Sequence, residues 1–411
     1  MEARRTTNGL ALAAVLATGL ALGCAEDLLA PATGTCPGFC PPEQLEVVDS
    51  VLIDVITSDS TYTGYVLPRE ATTLQTYRDS SDAGDAGSRA LMRFPAFSDS
   101  LRIGASDTTR GPVVGTDSIA VRLQVRGRNA DATGLELLLY RVSPDVDTAA
   151  TYGDLDSLFA DSALLATVPI ADSVTSDSLR VTLDGSAFPG FEQAGNRVAI
   201  GVALRNPTGY VQLGSVEGGA AAIVTRYVRV DSAGTPVPRV EGRTPDFDTF
   251  VGTAVTPAPG TARVVGGVPA ARTMLRFALP ARIADSSEVL RATLLLVPSE
   301  PVLGAPNDSL AVIAQGLATD VGAKSPLGGV PADSVALRVA FVSVGSTDTV
   351  RLDVTNLVIR WTNDSTAPRA LALRAIPEGA SFAELRIGAA DGPLRPRLHV
   401  TFVPPLRLGE R

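Results

Sequence analysis

The feature that most constrains the fold of this chain is an internal duplication. Four short segments of the first half recur in the same order in the second half. Three recur at a spacing of 171 or 172 residues and the earliest recurs at 183, so one insertion or deletion separates it from the others. The matched segments are 89–94 with 272–277, 178–183 with 349–354, 197–204 with 369–376, and 211–214 with 383–386. Because this period is too long for a solenoid unit and is typical of a whole domain, we expect two copies of one fold.

Strand-like alternation of apolar and polar residues dominates both halves. It is clear in Ile119–Arg126, Val350–Val354 and Leu398–Phe402, where every second residue is apolar. Leu135–Tyr140 and Ala292–Val297 are apolar nearly throughout, which is typical of strands buried on both faces or nearly so. Turn-forming residues are frequent, with 38 Gly and 29 Pro. Many short strands separated by turns predict an all-β protein made of β-sandwiches.

The best candidate helix follows Thr355, a plausible N-cap. It runs over Asn356–Trp361, where Leu357, Val358 and Trp361 would share one face. We expect Trp361 to lie in the core and not to form a ligand platform. The same core prediction applies to three alternating apolar residues of the second half, Leu275, Phe277 and Leu294.

Length and composition indicate the domain boundaries. The 411 residues leave room for two domains that each bury a core. We place the first β-sandwich at residues 45–230 and the second at 246–404. The intervening 231–245 is rich in Pro and Gly and is interpreted as a linker.

The N-terminus has the features of an export signal. Arg4 and Arg5 precede the apolar stretch Leu10–Leu22, and small residues then lead to Cys24. Thirteen residues extend only about 20 Å as a helix, which is short of a bilayer core of about 30 Å. Residues 1–23 are therefore predicted to be a signal peptide. Ala21–Cys24 resembles a bacterial lipobox, which implies lipidation of Cys24 and, with Ala25 next, an outer-membrane location; the alternative is ordinary secretion.

Residues 24–44 are interpreted as a tether between the lipid and the first domain. Cys36 and Cys40 bracket three residues in this Pro-rich stretch, and in an oxidising compartment that spacing favours a local disulfide. A zinc site would need further ligands, and the sole histidine, His399, is far away in sequence.

Charge and motifs exclude several functions. The net charge of −9 argues against nucleic-acid binding, which needs a basic face. A Ser-His-Asp triad would require His399, which the strand pattern places on a solvated face. No nucleotide, metallopeptidase or cofactor motif is present, so we expect a non-catalytic protein without a cofactor. Asp246 and Asp248 share a strand face and are read as two solvated side chains, with calcium binding as the alternative.

The second half resembles the DNRLRE domain, a bacterial surface module also classed as carbohydrate-binding module family ninety-six. The resemblance rests on the order of four segments: Arg272–Pro280, Val289–Leu296, Asp353–Trp361 and Arg395–Phe402. It covers about Thr244 to Val403, and the first half matches less well. The resemblance implies a jelly-roll-like β-sandwich in an exported protein, and some members of the family bind acidic polysaccharide such as alginate.

Arg93 and Arg276 recur in both halves, each next to an apolar residue of the opposite face. They are the candidate ligand-binding residues, although pairing with a carboxylate of a neighbouring strand is the favoured interpretation. The expected function is that of a lipid-anchored surface protein that binds polysaccharide or scaffolds a surface assembly. The alternatives are a polysaccharide hydrolase or lyase on the same scaffold, or a structural subunit that pairs with an envelope protein through sheet edges.

Overall fold

A computed structural model describes residues 47–64, 66–81, 84–104, 108–146, 150–188, 196–253, 258–285, 287–321 and 338–405. The fold is mostly antiparallel β-sheet, so the all-β sandwich prediction is confirmed. Within the described residues, no helix has the length and apolar character needed to cross a membrane.

Fourteen strands lie among the described residues of the first two thirds of the chain. They are β1 (Val48–Leu52), β2 (Ile56–Thr63), β3 (Thr73–Ser81), β4 (Gly84–Phe94), β5 (Ser100–Arg102), β6 (Arg110–Arg128), β7 (Glu136–Val142), β8 (Leu164–Pro169), β9 (Asp177–Asp184), β10 (Val198–Leu204), β11 (Thr208–Gly214), β12 (Ile223–Ser232), β13 (Thr235–Arg243) and β14 (Phe247–Gly252).

The described residues of the remaining part contribute nine strands and two helices. They are β15 (Ala262–Gly266), β16 (Ala271–Phe277), α1 (Ala281–Ala284), β17 (Glu288–Leu296), β18 (Ser309–Gly316), β19 (Val339–Ser343), β20 (Val350–Asp353), α2 (Thr355–Asn363), β21 (Ala370–Ala375), β22 (Glu384–Gly388) and β23 (Arg397–Val403).

The two copies share most of their strand pairing, and the main difference is that β6 also pairs with β11 in sandwich 1, which joins its two sides into one sheet. In sandwich 1, the order β13-β12-β6-β9 forms one side and β8-β7-β10-β4-β3-β11 forms the other, with β14 beside β4. In sandwich 2, the corresponding orders are β1-β23-β17-β20 and β19-β18-β21-β16-β15-β22, with β2 beside β16. Each strand of β3–β12, apart from the short β5, therefore has a counterpart in β15–β23. The duplication seen in the sequence is a duplication of topology.

Two strands precede each copy along the chain, β1–β2 before the first and β13–β14 before the second. Each of these pairs of strands joins the sheets of the other copy. Ser50 of β1 lies opposite Val400, and Arg239 of β13 lies opposite Val228, in equivalent places 189 residues apart. The same spacing relates Ser58 of β2 to Phe247 of β14. We call β1–β2 and β13–β14 the leading pairs. Because β1–β2 completes sandwich 2 and β13–β14 completes sandwich 1, the two sandwiches are interlocked.

This exchange changes the domain boundaries expected from the sequence. Most of 231–245 is not a linker, because Thr235–Arg243 forms strand β13 in a hairpin with β12. Residues 246–252 belong to sandwich 1, and residues 48–63 belong to sandwich 2. The described residues from Val47 onward accordingly belong to one compact unit. The Pro- and Gly-rich composition of 231–245 is typical of a linker, but it also suits an edge strand such as β13, because edge strands tolerate proline.

Each sandwich nevertheless has its own apolar core. Phe94 is fully buried in the first core and Phe277 is buried in the second, where its ring lies 5.1 Å from that of Trp361. Trp361 is only 2% exposed, so its core role is confirmed. Leu275 and Leu294 are also fully buried.

Helix α2 forms where the sequence predicted it, with Leu357, Val358 and Trp361 on its buried face. The predicted cap is wrong: the helix begins at Thr355, and Val354 is the N-cap without a side-chain bond. Asp353 instead accepts hydrogen bonds from the Thr355 N–H at 3.0 Å and hydroxyl at 2.6 Å.

A buried polar cluster joins the two sandwiches. The Gln75 side chain of β3 donates to Asp308 at 3.1 Å and accepts from the Phe382 N–H at 2.9 Å. Ser381 also donates to Asp308, at 2.6 Å. Since Gln75 is fully buried and Asp308 nearly so, these hydrogen bonds position the two sandwiches relative to each other.

Candidate ligand-binding groove

An arginine-rich groove lies on the outer face of sandwich 1. Along β6, Val121, Leu123 and Val125 point into the core, so Arg122 and Arg126 point outward. Strand β12 contributes outward residues beside them, and β9 contributes Arg180. We call this surface the arginine groove. Its lining residues are Ala120, Arg122, Gln124, Arg126, Arg180, Val216, Gly219, Ala220, Ala221, Ile223, Thr225, Tyr227 and Thr244.

The groove consists of two adjoining depressions. The larger holds about 600 Å³ and the smaller about 190 Å³. Arg122 and Ile223 line both, so the depressions are continuous across β6 and β12. Arg122 and Arg126 are four residues apart on one strand, which separates their Cα atoms by about 13 Å. An elongated ligand with repeated anionic groups fits such an open, linear site better than a small compact molecule does.

Two arginines face each other at the centre of the groove. Arg122 and Arg180 are directly opposite across the β6–β9 pair. Like charges in that position destabilise a sheet. On its other side Arg122 lies opposite Ile223, and its side chain makes no hydrogen bond or ion pair within the described part of the chain. The centre of the groove is therefore a site of uncompensated positive charge in a protein of net charge −9.

Tyr227 holds the second of these arginines in place. The Arg180 guanidinium donates to the Tyr227 hydroxyl at 2.5 Å, across the small Ala120. Asp184 lies in the same cross-strand row as Tyr227, and its carboxylate accepts from the Ser186 N–H and hydroxyl. These hydrogen bonds lower the pKa of Asp184. The groove thus carries an arginine–tyrosine contact, and the ionised Asp184 lies outside its lining in the row of Tyr227.

The β11–β12 loop forms one wall of the groove. Arg126 donates weakly to the Gly218 carbonyl at 3.5 Å. Asp248 of β14 supports the loop from beneath by accepting the Val216 N–H at 2.9 Å. Burial raises the pKa of Asp248 to about 7, and the neighbouring Glu217 carboxyl acts in the same direction. This wall is therefore fastened by a carboxyl group that titrates near neutrality.

The equivalent face of sandwich 2 carries different residues at these places. Leu295 corresponds to Arg122 by its pairing with Arg351, the counterpart of Arg180, and its other neighbour is Arg397. His399 occupies the place of Tyr227 and hydrogen-bonds Asp49 at 2.8 Å. Hydrogen bonds from Thr401 and His399 lower the pKa of Asp49. Here a carboxylate of the leading pair faces the residue that replaces Tyr227.

Both arginines chosen from the sequence are engaged in ion pairs. Arg93 contacts Asp246 at 3.1 Å and its guanidinium lies 5.0 Å from the centroid of the Phe247 ring. Arg276 makes two hydrogen bonds to Asp320, at 2.7 and 2.9 Å. The favoured interpretation, pairing with a carboxylate, agrees with these contacts. Neither arginine lies in the arginine groove.

Other residues considered from the sequence have structural surroundings. Asp246 pairs with Arg93, whereas Asp248 is buried, so the interpretation of both as solvated side chains is wrong for Asp248. The part of the chain that the structure describes holds no group of three or more residues able to bind a metal. Cys24, Cys36 and Cys40 lie outside the described residues.

The groove was not among the sites predicted from the sequence, although one signal for it was present. The alternation in Ile119–Arg126 places Arg122 and Arg126 on one polar face. Nothing in the sequence shows that β9 and β12 flank this strand, and so the meeting of Arg122, Arg180 and Tyr227 could not be foreseen.

Comparison with known proteins adds no relative: no family model matches the chain, and no curated protein matches it.

Proposed function

We propose that this protein is a non-catalytic surface protein that binds acidic polysaccharide through the arginine groove of sandwich 1. The observation that carries the proposal is the facing pair of Arg122 and Arg180. A sheet surface that keeps two opposed cations without a carboxylate between them gives up stability. An anionic ligand would compensate that charge.

Arginine suits the carboxylate of a uronic acid because its planar guanidinium can form two parallel hydrogen bonds. The chain has only seven Tyr, twelve Phe and one Trp, and that Trp is buried. Stacking of sugar rings on exposed aromatic residues is therefore a minor contribution, and charge recognition is the favoured mode. The polar residues Gln124 and Thr225 could hydrogen-bond sugar hydroxyls beside the arginines.

The location follows from the N-terminal sequence. A signal peptide over residues 1–23, lipidation of Cys24 and a tether closed by a Cys36–Cys40 disulfide would display the sandwiches on the outer membrane or cell surface. We retain the DNRLRE resemblance as part of this proposal, with the ligand site moved to the first copy.

The test is calorimetric titration of the mature chain with an acidic and a neutral polysaccharide at two salt concentrations. We expect binding to the acidic polymer only, weakened by added salt because exposed charges are screened. Each charged hydrogen bond contributes about 1.5–3 kcal/mol, so Arg122→Ala should weaken binding about 10- to 100-fold.

The matched control is Arg205→Ala, which removes the same charge from an exposed arginine that pairs with Glu136 away from the groove. This variant should bind as the original protein does. Equal losses in both variants, or equal binding of the neutral polymer, would contradict recognition by the groove.

The alternative with a specific observation in its favour is a polysaccharide lyase. Such an enzyme needs a base for the proton beside the uronate carboxylate and a cation to neutralise that carboxylate. Tyr227 and Arg180, in contact at 2.5 Å, have the required chemistry. Appearance of unsaturated uronate product that Tyr227→Phe abolishes would establish this alternative, whereas binding without product supports the non-catalytic function.

A further inference from the structure

We propose that the leading pair β1–β2 is an exchangeable clasp through which one copy of the chain binds a second copy head to tail. In the structure this pair closes the chain on itself, because β1 adds to β23 and β2 adds to β16. The donor lies at the N-terminal end of the described residues and the acceptor is the C-terminal copy. Each chain therefore has one donor and one acceptor.

The two leading pairs are attached to the chain in different ways. Strand β13 follows β12 through a tight turn at Ala233 and Gly234, both with positive φ, so it cannot leave its neighbour. Strands β1 and β2 have no such hairpin to their sandwich. Their partners β16 and β23 begin more than two hundred residues later in the sequence. Only β1–β2 is free, by its connectivity, to be supplied by another chain.

The acceptor is a built site in which the donor fills specific places. Leu52, Val55 and Ile56 enter the apolar core of sandwich 2. Asp59 of β2 accepts the Ala390 N–H at 2.6 Å and pairs with Arg263 at 2.8 Å. Without the donor, this core and these polar groups would be exposed to water.

The same acceptor contacts form whichever chain supplies the strands. Closure within one chain competes with exchange between chains, and the outcome depends on protein concentration relative to the effective concentration of the tethered pair. A donor at one end and an acceptor at the other is a heterologous arrangement, which extends into rings or longer arrays. Strand exchange thus provides this protein with a route to self-association that does not use the arginine groove.

The test uses two single-cysteine full-length chains in a background with Cys24, Cys36 and Cys40 changed to serine. One carries Val51→Cys and the other carries His399→Cys, because these residues are directly opposite across β1 and β23. The two chains are mixed, partly unfolded, refolded together at increasing concentration and oxidised. We expect a covalent heterodimer whose yield rises with concentration, while either chain alone gives only background dimer.

The matched control is the same mixing experiment with Tyr227→Cys and Val240→Cys, which are opposite within the β12–β13 hairpin. This pair should not cross-link two chains. A chain carrying both Val51→Cys and His399→Cys should close internally at low concentration. A heterodimer yield no higher than that of the hairpin control, or failure of the double variant to close, would overturn the proposal.

Discussion

Arg226 and Glu241 form a buried ion pair in sandwich 1 at a place where sandwich 2 has an apolar pair. Exchanging one kind of pair for the other tests how much the ion pair contributes to stability. The two residues are opposite across β12 and β13, with 3.1 Å between Nη2 of Arg226 and Oε2 of Glu241. Their side chains are only 1% and 6% exposed. At the equivalent place in sandwich 2, Leu398 lies opposite Leu52, and both are buried. The same fold thus accommodates a buried charge pair in one copy and an apolar pair in the other.

Removal of one partner should be costly because it leaves a charge in the core. Glu241→Leu removes the carboxylate partner of Arg226, which keeps a hydrogen bond to the Ser98 carbonyl at 2.5 Å, and we expect a loss of about 3–5 kcal/mol. Arg226→Leu should cost less, about 2–3 kcal/mol, since Glu241 keeps hydrogen bonds from Ser98 and Arg243. The double replacement by leucine recreates the pair of sandwich 2. Replacing a buried ion pair by apolar residues is often neutral or stabilising, so the double variant should recover most of the combined loss.

Urea denaturation followed by far-ultraviolet circular dichroism measures these free energies of unfolding. The control removes the side chains of the exposed pair Arg205 and Glu136, singly and together. Each of these changes should lower the free energy of unfolding by less than about 1 kcal/mol. A double leucine variant that loses the sum of the two single losses would refute the reasoning, because it would show that the two sites do not interact as a pair.

Burial raises the pKa of Asp248 from 3.8 to about 7, so between these values the folded protein holds a proton that the unfolded chain releases. The stability gained from this proton is fully present below about pH 4 and is lost as the pH rises to about 7. Asp248→Asn should flatten this fall in thermal unfolding scans and raise the melting temperature at pH 8, whereas Asp59→Asn, at the equivalent place, should lower it at pH 8 because Arg263 loses its ionised partner. Gln75→Ala should cost about 1–3 kcal/mol in urea denaturation, because the buried Phe382 N–H loses its acceptor; an unchanged midpoint would show that the cluster does not join the sandwiches. Trp361→Ala should cost about 3–5 kcal/mol by circular dichroism, against less than about 0.5 kcal/mol for Phe341→Ala, whose side chain is 77% exposed; similar losses would contradict the assignment of Trp361 to the core.

Local patterns predicted local structure well. Alternation at Ile119–Arg126 and Val350–Val354 corresponds to strands β6 and β20, because one face of each is buried against a core. The buried face of helix α2 was also predictable, since Leu357, Val358 and Trp361 recur at helical spacing. These patterns depend on neighbours a few residues apart, which the sequence displays directly.

Long-range pairing was not predictable from the sequence. Val48 pairs with Phe402, and no local pattern distinguishes this partner from the equivalent strand of the first copy, β12. The shared register of the two leading pairs explains the ambiguity, because each copy presents the same acceptor. The domain boundaries were misplaced for that reason.

The candidate ligand-binding residues were also predicted outside the arginine groove, for a related reason. Arg93 and Arg276 were selected because they recur, but recurrence here reflects a shared structural need for an ion pair. Arg122 does not recur, since Leu295 takes its place in sandwich 2. A binding residue specific to one copy is invisible to a comparison between copies.

The most direct test of the proposed function is hydrogen–deuterium exchange of the mature chain with and without acidic polysaccharide. The arginine groove predicts slower exchange in peptides from β6, β9, β12 and the β11–β12 loop, with no change in β17, β20 and β23. Protection confined to sandwich 2, or saturable binding that slows exchange nowhere on sandwich 1, would contradict the assignment of the ligand site.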